Sequence, residues 1–266
     1  MLNSDDNYSN NNTDFDEINS TIEQIGVNKK NNPKNEEKLP FNTKMAMFLL
    51  GFSYAGLLGI SLIVSLFVLI FTKDEGLSNI IVQSVSYVIL LGAFIYVCYP
   101  YKKFFLKNLQ EPTNYLYGFL FGLMTIGCEI IVSYLVGLIY QADTNANQAV
   151  VESLVNSYPT LMFIVTVFIG PICEELTYRV GLFGMLKEKN ETMAFIVSAL
   201  VFAFVHISFF DTTVAAELTA FPVYLTIGFL LTYAYKRYGL ACSLVAHMML
   251  NLLSFIAIIL HLWKSY

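Results

Sequence analysis

The chain has 266 residues, of which 56% are hydrophobic and 13% charged, and its formal net charge is −5. Soluble domains carry about 25% charged residues, and the mean hydropathy here is +0.59, so the chain lacks the polar groups to coat a water-facing surface. Its apolar runs approach the ~20 residues that cross a bilayer; a soluble enzyme, a disordered protein and a secreted disulfide scaffold are excluded, and the acidic balance argues against nucleic acid as a partner.

Residues 1–42 read as a disordered cytoplasmic tail, Asn-rich and acidic with little to bury. No basic segment followed by an apolar run marks a signal peptide there. Seven helical spans follow, near 43–71, 77–100, 113–141, 159–187, 191–210, 218–238 and 240–263. Residues 43–141 form an N-terminal set of transmembrane helices and 145–263 a second transmembrane core. The fold class is therefore all-α, a polytopic transmembrane bundle of about seven spans.

Lysine and arginine set the orientation. Lys29, Lys30, Lys34, Lys38 and Lys44 precede the first span, and only Lys73 lies in the next loop. Lys102, Lys103 and Lys107 follow, then a loop with none, then Lys187 and Lys189, then none, then Lys236 and Arg237. Rich and poor loops alternate, which places the N-terminus in the cytoplasm and the C-terminus outside. Residues 145–158, NANQAVVESLVNSY, space their apolar positions as a short amphipathic helix at the outer interface. The pair Gly118 and Gly122 forms a GxxxG, read as a site of close helix approach. Cys98, Cys128, Cys173 and Cys242 lie far apart in apolar runs and read as small buried hydrophobes.

Ionisable groups inside spans carry the functional signal, because each costs about 2.5–3.5 kcal/mol near mid-bilayer on insertion scales. The fourth span holds Glu174, Glu175 and Arg179, the fifth His206, the seventh His247 and Asn251, and the third Glu129. Glu175 and Arg179 stand at i and i+4 and can form an ion pair, whereas Glu174 is rotated by about 100° and points elsewhere. Gly170-Pro171 interrupts the backbone ladder just before them. At 1.5 Å per residue, Glu174, His206 and Asn251 lie roughly 20–22 Å from the lysine-rich edge and His247 roughly 15 Å. Polar groups from three helices at similar depth point to a shared cavity, and this depth favours access from the cytoplasmic side. Glu129 reads either as a further cavity residue or as a buried, protonated one; His261 reads as interfacial.

A carboxylate, two imidazoles and an amide suit peptide hydrolysis. The carboxylate can act as general base on water, a histidine can share that water, and an Asn N–H can donate to the developing oxyanion. GxSxG, HExxH and a paired-Asp motif are lacking. The segments GPICEELTYRVGLFGML, VFAFVHI and LVAHMMLNLL, in that order and each on a span, resemble the EExxxR, FxxxH and HxxxN motifs of the CAAX-processing and bacteriocin-processing (CPBP, Abi or type II CAAX protease) intramembrane proteases. The resemblance covers about residues 145–256.

That resemblance implies an intramembrane endopeptidase of the glutamate type. Glu174 takes the role of general base, His206 helps to activate water, and His247 and Asn251 form the oxyanion site. Glu175 and Arg179 are then structural, with Phe202 supporting. It implies a peptide or membrane-protein substrate, membrane lipid as surroundings and a multi-pass protein of a bacterial plasma membrane. Processing of CAAX-like proteins, bacteriocins or signalling peptides is the expected biology. No cofactor is expected, although Glu174, His206 and His247 leave a two-His, one-carboxylate metal site open. Two other readings stay beside the protease: a non-catalytic immunity or scaffold protein that binds a peptide or partner, and a proton-coupled transporter.

Overall fold

A computed structural model describes residues 43–139, 145–208 and 214–263, with backbone alone for 261–263. The tail, residues 1–42, and the side chain of His261 lie outside the described residues. The chain folds into α1 (Thr43–Val68), α2 (Glu75–Leu109, with a 3-10 turn at Tyr99–Tyr101), α3 (Pro112–Ile139) and α4 (Ala146–Ser157). They are followed by α5 (Pro159–Lys187), α6 (Glu191–Phe204), α7 (Val214–Tyr238) and α8 (Leu240–Trp263). There is no strand among the described residues.

Local chemistry sets the helix starts. Asp74, Asn145 and Asn190 each stand in extended backbone and accept from the N–H three residues on, at Leu77, Gln148 and Met193. This satisfies a donor that has no partner within its helix. The α7–α8 turn needs Gly239, whose φ is +86° and whose absent Cβ would meet Asn108 Nδ2 at 2.1 Å. Asn108 ties that turn down, accepting from Ala241 N at 2.7 Å and donating to Tyr238 O at 3.3 Å.

Six helices are long and apolar enough to cross a membrane: α1, α2, α3, α5, α7 and α8. The span expected at 191–210 is shorter. Helix α6 has 14 residues, about 21 Å of rise against a hydrocarbon core of about 30 Å. It ends in a turn at Val205–His206, where N–H groups bond three residues back and side chains take Phe202 O, His206 O and Ser208 N; residues 209–210 of the expected span lie outside the described residues. Leu62, Ile63, Phe67, Ile95, Ile130 and Leu135 stand exposed on α1, α2 and α3, a surface that lipid and not water would solvate.

Helix α5 is the centre of the bundle: half of its apolar window is buried, against 6–28% in the other spans. It packs against α1, α2, α6 and α8, while α3 packs along α8 and α7. The GxxxG reading holds. A Cβ at Gly118 would lie 2.7 Å from Val245 Cβ and 2.9 Å from Cys242 O, and one at Gly122 2.9 Å from Met249 Sδ. Glycine there lets α3 seat directly on α8. Cys98, Cys173 and Cys242 are buried thiols, and Cys128 is half-buried. The helix expected at 145–158 is present as α4, with Leu154 and Val155 buried against Ile80 and Met162.

Candidate active site

Helix α5 contains two π segments, Val165–Ile169 and Leu176–Phe183, on either side of the glutamate pair. The first follows from Gly170-Pro171. Gly170 N–H bonds to Val165 O, five residues back. The next donor in that register belongs to Pro171, which has none, so Thr166 O is left open. Asn251 fills the vacancy, donating from Nδ2 at 2.8 Å. The expected kink is thus a widened turn that links α5 to α8.

Glu175 and Arg179 are fully buried and pair at 3.1 Å, as their spacing requires. The guanidinium makes no well-directed hydrogen bond; it is held by charge and by the Phe202 ring, 4.7 Å from its carbon. Phe202 also meets Tyr178 at 5.4 Å, His206 at 4.7 Å and His247 at 5.9 Å between centroids. The aromatic residue of FxxxH therefore fixes the arginine and both imidazoles together.

Glu174 points away from that pair into a cavity of about 760 Å³. Its Oε2 is buried without a hydrogen-bond partner, 3.7 Å from His247 Nε2 and 3.9 Å from His206 Nε2. These separations are too long for direct hydrogen bonds, and all three atoms belong to residues that line the cavity, where a water can lie beside them. The outer nitrogen of each ring is already engaged. His206 Nδ1 lies 2.7 Å from Phe202 O, which can only accept, so Nδ1 carries the proton. His247 Nδ1 lies 2.9 Å from Glu175 Oε1. Both Nε2 atoms are thereby turned toward Glu174. The structure brings Glu174, Glu175, Arg179, Phe202, His206, His247 and Asn251 together.

The carboxylate and the two Nε2 atoms stand wider than two ligands of one tetrahedral zinc, which are roughly 3.3 Å apart. Among the described residues, no group of three or more His, Cys, Asp and Glu side chains is placed to hold a metal ion.

Several contributors were not foreseen. His206 lies past the end of α6, and its position comes from neighbours far away in sequence. Asn145 Nδ2 donates to His206 O at 3.1 Å, and Glu217 accepts from Ser208 N at 3.0 Å and from Ala146 N at 2.8 Å. Tyr224 stacks on His206 at 4.6 Å and accepts from Asn147 at 3.1 Å. Only Glu217, a fully buried carboxylate in the first turn of α7, carried a legible signal, as an acidic residue beside an apolar run. Glu129 is half-buried and lines the cavity wall on α3.

The fold and this site define a class: a multi-pass helical membrane protein with a glutamate and two histidines around a cavity between its helices. Residues 156–253 match the family model described as Type II CAAX prenyl endopeptidase Rce1-like, which bears out the resemblance carried by the three motifs. The chain is 29% identical over 175 residues to "Putative membrane peptidase YdiL" of Bacillus subtilis (strain 168), covering 63% of this chain and 67% of that protein. It is 35% identical over 108 residues to an uncharacterized protein of Mycoplasma capricolum subsp. capricolum, covering 40% and 30%. With UPF0177 protein YvdC of Lactococcus lactis subsp. lactis it shares 28% over 127 residues, 46% of each chain. Two of the three matches thus span less than half of the relative's length. No solved structure matches the chain.

Proposed function

We propose that the protein is an intramembrane endopeptidase in which Glu174 activates a water that hydrolyses a peptide bond. The reading rests chiefly on the buried, unpartnered Oε2 of Glu174 facing two imidazole nitrogens. A buried acceptor without a partner costs about 1–3 kcal/mol, a penalty that a catalytic water offsets. The water donates to Glu174 Oε2 and to His206 Nε2. Its oxygen attacks the carbonyl carbon while Glu174 takes one proton and delivers it to the leaving nitrogen as the C–N bond breaks; the second water proton stays on the new carboxyl group until it passes to the amine, yielding a carboxylate and an ammonium.

Asn251 spends one amide hydrogen on Thr166 O and keeps the other for the developing oxyanion. His247 can assist there through Nε2, a role that requires protons on both ring nitrogens; Glu174 and Glu175 together then balance the charges of Arg179 and His247. The amide, carboxylate and apolar lining of the cavity suits an extended peptide. The three relatives reported above, one of them named as a putative membrane peptidase, are bacterial, which supports a bacterial plasma membrane as the location.

The test is Glu174→Gln at matched membrane level in a native host, compared with wild type by peptidomics. Loss of a general base costs about 10²–10⁴ in rate, so a set of cleavage products should vanish. Identical profiles with the biological phenotype retained would replace the peptidase by a peptide-binding scaffold.

A further inference from the structure

The two ends of the bundle are chemically distinct. Lys102, Lys103, Lys107, Lys187, Lys189, Lys236 and Arg237 all belong to one end. The contacts there are explicit: Lys236 pairs with Glu191 at 3.1 Å, joining the end of α7 to the start of α6, and Asn108 holds the α7–α8 turn. At the other end, Asn145, His206 and Glu217 join the start of α4, the exit of α6 and the start of α7. Lys73 is the one lysine or arginine at that end among the described residues.

The cavity runs toward the lysine-poor end. On α5 its lining residues Val165, Thr166 and Gly170 all precede Glu174, and on α8 Asn251, Phe255 and Ile258 all follow His247. These positions extend roughly 13 Å and 16 Å from the two site residues along their helices. On α3 the lining begins at Glu129, well past the midpoint of Pro112–Ile139, and on α7 it ends at Ile227. The polar side chains Asn145, Asn147 and Gln148 of α4 complete it at the lysine-poor end. Counted from the lysines, Glu174, His206 and Asn251 lie roughly 20–22 Å into a hydrocarbon core of about 30 Å, nearer the lysine-poor face and not the cytoplasmic one expected. The buried aromatic and ionic cluster of Arg179, Tyr178 and Phe202 fills the direction of the lysines.

Lysine and arginine bias places the lysine-rich end in the cytoplasm. We infer that substrate reaches Glu174 from the extracytoplasmic side, so that the natural substrate class is a polypeptide segment exposed at the outer leaflet or already exported. Among the described residues, the cavity has no wall residue on α5 after Glu174 and none on α8 before His247, so it does not extend toward the lysine-rich face. This inference rests on the peptidase reading only for the word substrate; the direction of access stands on the cavity and the charge pattern.

The experiment uses the full chain in intact cells and a membrane-impermeant, sulfonate-bearing methanethiosulfonate. Ser254→Cys lies on the cavity wall of α8 and Lys189→Cys is exposed at the other end; the unsubstituted chain gives the baseline of its native thiols. Ser254→Cys should label in intact cells at least tenfold more than Lys189→Cys, which should label only after permeabilisation. Asn147→Cys, exposed on α4, reports the same end should Ser254→Cys fail to fold. Lys189→Cys labelling in intact cells, or cavity labelling that needs permeabilisation, overturns the proposal. The peptide products lost in Glu174→Gln should be those found in the medium or on the outer face; products confined to the cytosol also overturn it. Labelling as expected with no Glu174-dependent product would instead remove the peptidase reading and leave the direction of access standing.

Discussion

His247 Nδ1 lies 2.9 Å from Oε1 of Glu175, the glutamate that pairs with Arg179. The second glutamate of the motif thus has two tasks. It neutralises a buried guanidinium, and it holds the His247 ring so that Nε2 faces Glu174. Spacing along α5 discloses the first task only.

Glu175→Gln should be strongly destabilising, because it leaves the fully buried Arg179 without its counter-ion. Breaking one side of a buried pair costs about 3–5 kcal/mol, to be read as a lower melting temperature and lower membrane yield. Glu175→Leu with Arg179→Met removes both charges and should regain most of that stability. It should stay inactive, because His247 has lost its acceptor; recovered peptidase activity would sink the positioning role.

Asn251→Leu tests the oxyanion assignment. Removing one such donor costs about 2.7–4 kcal/mol of transition-state stabilisation, roughly 10²–10³ in kcat. The same change leaves Thr166 O without its 2.8 Å donor, so some thermal stability should go with it. A kcat within threefold of wild type would show that the amide serves packing alone.

Glu217→Ala should lower activity although Glu217 approaches the reacting groups only through backbone. It removes the carboxylate that accepts from Ser208 N and Ala146 N, two half-buried donors, and so loosens the segment that carries His206. We expect reduced kcat with little change in KM. Unchanged kcat in a folded variant would assign Glu217 to α4 capping alone.

Chelators test the metal alternative. Glu174 and the two imidazoles stand 3.7 and 3.9 Å apart, wider than ligands of a single zinc. Activity of the purified protein should persist after dialysis against EDTA or phenanthroline. Loss of activity that stoichiometric zinc restores would establish a metal site at Glu174, His206 and His247.

Gly118→Val places a side chain where a Cβ alone already meets Val245 at 2.7 Å and the Cys242 carbonyl at 2.9 Å. Overpacking of this kind costs about 1–3 kcal/mol. The melting temperature in detergent should fall, whereas Gly127→Ala, on the same helix with nothing within 4 Å of the added Cβ, should leave it unchanged.

The sequence by itself determined whatever depends on neighbours in the chain. Apolar run length located the membrane helices, and the Glu175–Arg179 spacing fixed an ion pair on one helix face. Gly118 and Gly122 marked a close approach, and three ordered motifs named residues that the packed helices bring together around one cavity. The tertiary structure decided what depends on partners far apart in sequence. Glu175 meets His247 across 72 residues and Asn145 meets His206 across 61, and such pairs exist only once helices have packed. The early end of α6 belongs here too, since the groups that replace its hydrogen bonds come from α4 and α7. So does the direction of the cavity: depth along a helix is counted from either end alike, and only the packing of α5, α8 and the Arg179–Phe202 cluster closes one of the two ways in.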